Sequence, residues 1–158
     1  MPEALLKLWN QPHWELRGRP DCVLFFCNIL AAFPVATTLF VEGTSTAQDV
    51  DDFLSSAMEP GDYLPDRQTL WPRSKQYRLR FDSVSLAGLA SLAERHASPE
   101  LLDHLFVYNG SLALLEFPDA FGHHSPAFIS TEADEQRIQG FAEVLGLELT
   151  RKGATGTH

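Results

Sequence analysis

Two spacings of apolar residues organise this chain. Over 76–82 the order Gln-Tyr-Arg-Leu-Arg-Phe-Asp alternates strictly, which predicts a half-buried strand. Tyr77, Leu79 and Phe81 then face inward, and Gln76, Arg78, Arg80 and Asp82 face water. Elsewhere apolar residues recur at three and four. Ala47, Val50, Phe53, Leu54, Ala57 and Met58 predict an amphipathic helix after a strand over 37–42, with Ser45 and Gln48 spaced as a capping box. Leu86, Leu89, Ala90, Leu92 and Ala93 predict another, started by Asp82 or Ser83, and Ser98-Pro99 restarts a short helix toward His104. Ile138, Phe141, Ala142 and Leu145 predict the last, capped by Ser130 and Thr131 and closed by Gly146.

Residues 22–33, behind a capping Asp21, are apolar on nearly every side, the pattern of a helix buried against a sheet, although a strand over 23–26 fits the same run. A short helix over 3–9 ends at Asn10-Gln11-Pro12. Asn109-Gly110 between two apolar runs predicts a tight type I′ hairpin over 105–117, with Tyr108 opposite Ser111 and Phe106 opposite Ala113. Both its faces are largely apolar, Glu116 excepted, which places it centrally in a sheet. Short strands over 127–129 and 147–150 complete the elements, and 151–158 reads as a frayed tail. A hairpin among interspersed helices and strands predicts an α+β fold: one domain over 1–150, with a mixed or largely antiparallel sheet and helices mainly on one face.

Composition narrows the class. At 158 residues, 44% hydrophobic and 21% charged, the chain is of single-domain size and too apolar to be disordered. Its net charge of −9 disfavours phosphate backbones and anionic lipid, so nucleic acid is not an expected partner. Cys22 and Cys27 are too divergent in direction to pair and read as buried thiols. With no disulfide framework, and with Glu3 and Glu15 interrupting any basic-then-apolar leader, the expected compartment is a reducing cytoplasm. Residues 22–41 are apolar enough to raise a membrane span, but Pro34, Thr37, Thr38 and the β-branched second half predict two buried elements and no membrane partner.

Charge is segregated in the middle of the chain. Between Gly43 and Asp66 there are six acids and no base, and between Arg67 and Arg80 five bases and no acid. The two blocks either pair within the fold or leave a recognition surface. The connection 59–74 lacks any period and carries four prolines or glycines among Tyr63, Leu64, Leu70 and Trp71, as functional loops do. Arg, Trp and Tyr are the residues enriched at interface centres. Tyr63, Trp71, Arg73, Arg78 and Arg80, beside Tyr77, are therefore the expected contact residues of a non-catalytic protein-binding module, inhibitor-, immunity- or adaptor-like, with another protein as partner. Self-association into a homo-oligomer is a further possibility.

Nucleophile elbows, phosphate loops, dinucleotide fingerprints and paired zinc histidines on a helix are absent from the sequence. No catalytic residue and no cofactor is expected. The alternative to a binding module is a metal-dependent hydrolase at the loop 118–126. There Asp119, His123 and His124 supply carboxylate and imidazole, with His96, His104 and Glu116 as further ligands.

Overall fold

Helix and strand periods sort the chain into two layers in the computed structural model, which describes residues 7–60, 75–122 and 126–153. The helices are α1 (Cys22–Ala32), α2 (Gln48–Ala57), α3 (Ser83–Ala93) and α4 (Glu135–Leu145). The strands are β1 (His13–Arg17), β2 (Thr38–Gly43), β3 (Lys75–Arg80), β4 (His104–Asn109), β5 (Leu112–Phe117), β6 (Ala127–Ser130) and β7 (Glu148–Lys152). They form one sheet in the order β3-β2-β4-β5-β6-β1-β7, antiparallel at every pairing. The fold is α+β, and the hairpin strands β4 and β5 lie inside the sheet, where their apolar faces are covered.

Strand parity divides the sheet chemically. Leu16, Leu39, Val41, Tyr77, Leu79, Leu105, Val107, Leu115, Phe117 and Ile129 point to one side and pack with all four helices in the main core. Contacts between neighbours order the helix layer α2-α3-α1-α4, from the β3 edge to the β7 edge. At its centre Phe25 sits 5.1–5.5 Å, ring to ring, from Phe26, Phe117, Phe121 and Phe141. On the other side Phe40, Phe106, Tyr108, Ala113 and Phe128 form a smaller cluster with Leu8 and Trp9. Around that cluster the same side buries His13, Glu15, Thr38, Glu42, His104, Glu116 and Ser130.

Local signals account for most helix starts. Asp21 and Asp82 each accept the N–H three residues on, at 2.9 Å, so both act as N-caps. The start of α4 falls later than expected because Ser130 is still in β6 and its hydroxyl accepts the N–H of Glu132 at 3.1 Å; Asp134 caps instead. Gly146 closes α4 at φ 69°, as expected. The capping box at Ser45 does not form. Thr44 turns to Asp103, Ala47 donates its N–H to the Glu100 carbonyl at 2.9 Å, and α2 begins at Gln48 without a side-chain cap. Ser98-Pro99 starts no helix. Its cis peptide belongs to turns that bury Leu101 and Leu102 before β4.

The hairpin register differs from expectation. Asn109 pairs with Leu112, Tyr108 with Ala113 and Phe106 with Glu116, so the two loop residues are Gly110 and Ser111. A bulge between Val107 and Tyr108 takes up the offset. Gly110 alone of the pair has positive φ, 57°, the sign pattern of a type II′ turn, which asks for glycine at its first position. β1 was not expected from the sequence; this first described strand lies between β6 and β7. β7 continues through Arg151 and Lys152, beyond the expected start of the tail.

α1 is a helix, which settles the ambiguity over 23–26, but it is not buried all round. Phe25, Phe26, Ile29 and Ala32 enter the core, while Leu24, Cys27 and Leu30 are exposed. Cys22 is half-buried, and burial pushes its thiol up from the ordinary value. No described helix is long and apolar enough to cross a membrane.

Candidate functional site

β3 carries the candidate surface and forms one edge of the sheet. Its alternation holds as read: Tyr77 and Leu79 are buried and Arg80 is exposed. Met58 bridges to Leu79 on the outer side of β3, and the N–H of Glu59 donates to the Arg78 carbonyl at 2.7 Å. That pairing fixes the Glu59 carboxylate over the polar face. Arg80 Nε donates to Glu59 Oε2 at 3.0 Å, and Arg78 Nε lies 3.9 Å from Oε1.

The two arginines are not equivalent. Arg78 is 27% exposed and its guanidinium stands over the Phe40 ring at 5.7 Å, so its stem is part of the packing on this face. Arg80 is 72% exposed. An ion pair so open to water is worth about 0–1 kcal/mol, because solvent competes for both charges. At the start of the strand Lys75, also largely exposed, donates to Asp51 at 3.3 Å. The acidic and basic blocks therefore meet inside the fold at Glu59 and Asp51. Asp49 turns elsewhere, to Arg95 and His96, and their hydrogen bonds, that of His96 first, hold its carboxyl below the ordinary value.

Tyr77 leaves the expected surface group. It is core-facing, and its hydroxyl donates to Asp51 beneath α2. Burial and the Asp51 charge push its pKa up to about 12, so it stays a neutral donor. Tyr63, Trp71 and Arg73 lie outside the described residues, as do His123 and His124. Asp119, the described member of the expected metal group, is largely exposed; its N–H donates to His104 Nδ1 at 3.0 Å, with Oδ1 3.9 Å from the same nitrogen. Among the described residues no three His, Cys, Asp or Glu side chains are grouped to hold a metal ion.

Sequence reasoning missed the buried ionisable groups on the sheet face opposite the four α-helices. Glu116 accepts the N–H of Leu8 at 2.7 Å and of Lys7 at 3.1 Å, one on each oxygen, and so ties the N-terminal segment to the hairpin. His13 is fully buried, with Nδ1 2.7 Å from the Gln11 carbonyl and Nε2 3.1 Å from Glu15, whose other oxygen takes Arg17 at 2.6 Å. Burial works against the Glu15 charge, but the hydrogen bonds from His13 and Arg17 outweigh it and hold that carboxyl below its ordinary value. Gln76 donates to Glu42 at 3.3 Å, which links β3 to β2 on the same face. The available signal was a glutamate inside an otherwise apolar strand, as at Glu116 and Glu42.

Compared with protein-family models, with curated proteins and with solved structures, the chain matches none of them.

Proposed function

We propose that this chain is a non-catalytic protein-binding module, inhibitor-, immunity- or adaptor-like, that offers the β3 edge and the connection 59–74 to an acidic surface of another protein. The observation that carries the reading is Arg80: a guanidinium 72% exposed at a sheet edge, held in place by a carboxylate it can exchange at little cost. A partner carboxylate that displaces Glu59 finds an arginine already oriented, and arginine's fork favours bidentate pairing. Arg78 supports the position of that edge through Phe40 and contributes its charge to it. Tyr63, Trp71 and Arg73 enter the reading from the sequence, as residues of the adjoining connection.

The test compares proteins captured from native-cell extract by the wild-type chain and by Arg80→Ala and Arg80→Glu variants. A species held by the wild type should be weakened by the first and lost with the second, while unfolding free energy stays within about 0.5 kcal/mol, as for an exposed site. Equal capture by wild type and Arg80→Glu sinks the proposal.

A further inference from the structure

The two edges of the sheet end differently. At β3 the outer side is engaged by Met58 and Glu59. At β7 the only strand neighbour among the described residues is β1, and among those residues the opposite side of Glu148–Lys152 is an edge of the sheet. Such an edge presents alternate N–H and C=O groups and is a template for another strand. Charged residues commonly blunt edges of this kind, and Arg151 and Lys152 alone would do so. Glu148 changes that, because it makes the charge along the strand antisymmetric about Thr150, with an anion at one end and cations at the other.

We propose that β7 is a self-recognition edge: two copies of this chain pair their β7 strands antiparallel about a two-fold axis at Thr150, joining the two sheets into one. In that register Thr150 faces its own copy, Leu149 faces Arg151 of the second copy, and Glu148 faces Lys152 of the second copy, twice by symmetry. Directly opposed threonines and directly opposed unlike charges are favourable cross-strand pairs. Strand parity places Glu148, Thr150 and Lys152 together on the face opposite the four α-helices, since Leu16 and Leu149 pair on the core side.

Other registers lose this match. An odd-with-even pairing is excluded, because only every second residue turns its backbone groups outward. Centring on Arg151 sets two guanidinium groups against each other, and centring on Leu149 leaves Lys152 without an opposite charge. A parallel pairing stacks like on like. A closed two-fold pair also consumes both open edges and stops at two copies. Five residues per strand make a small interface, so the association belongs to the weak, concentration-dependent class. It uses the edge opposite the proposed partner surface, and either assignment can fail without the other.

Sedimentation equilibrium over a concentration series tests the pairing. The wild-type mass should rise with concentration from 17.6 kDa toward twice that value. Glu148→Lys and Lys152→Glu should each weaken association about tenfold, because each converts two opposed pairs from attraction to repulsion. The double variant should restore it. An equimolar mixture of the two single variants should associate more tightly than either alone, since one copy then carries two cations and the other two anions. Circular dichroism of each variant confirms that the fold is kept. A wild type that stays at one chain mass throughout, or single variants that dimerise as the wild type does, or a double variant or mixture without recovery, overturns the proposal.

Discussion

Toward the helices the sheet buries leucine, valine, isoleucine and phenylalanine; toward its opposite side it buries Glu15, Glu42, Glu116, His13 and His104 around a small aromatic cluster. The first face is held by area and fit, which act in any direction and tolerate small shifts. The second is held by groups that cost several kcal/mol when left without partners and so dictate where their partners stand. Glu116 shows the consequence. Its two oxygens specify the positions of two backbone N–H groups at the other end of the chain. Stability is concentrated on one face and specificity of chain path on the other.

Three experiments sharpen that contrast, taken from the largest effect down. Phe25→Ala removes the ring at the centre of the aromatic group on the helix side and should cost about 3–5 kcal/mol in denaturant unfolding. A loss near that of an exposed site would mean the core is not organised around Phe25. Glu116→Ala leaves the Leu8 and Lys7 N–H groups without their acceptor and should cost about 1–3 kcal/mol. Glu116→Gln, which keeps one carbonyl oxygen, should cost less. Equal losses from the two would show that the segment needs both carboxylate oxygens, since the amide keeps the shape and one acceptor.

The third is a pH profile. The Glu15 carboxyl titrates lower in the folded chain than its ordinary 4.5, because hydrogen bonds from His13 and Arg17 overcome its burial. Its ionised form therefore stabilises the fold above that pH, and the contribution is lost as pH falls through the lowered folded value. Glu15→Gln should flatten that acid limb. An unchanged acid limb in the variant would place the sensitivity at another carboxylate.

The helix-side face was far more legible in the sequence than its opposite. Asp21 and Asp82 announce helices because a cap acts within three residues, and the alternation of 76–82 survives because Tyr77, Leu79 and Phe81 are buried while Arg80 stays exposed. β1 was invisible for the converse reason. In His-Trp-Glu-Leu-Arg the polar residues His13 and Glu15 are as buried as Leu16, so no contrast marks the strand. The hairpin was found but misregistered, since a bulge depends on packing across strands and leaves no mark in a dipeptide. At the candidate surface Arg80 stands where the alternation put it. The role of Glu59 in clasping it followed from the bridge at Met58, which no local pattern encodes.

The place of β1 between β6 and β7 bears on how the protein is made. Among the described residues β1 meets its first strand neighbour only at residues 127–130, far along the chain, and its second only at 148–152. Until β6 and β7 are made, β1 lacks the two strands that flank it among the described residues, and its part of the sheet closes only after both. A truncation that removes β6 and β7 strands β1 for good, and such a fragment is expected to be recognised by chaperones as unfinished.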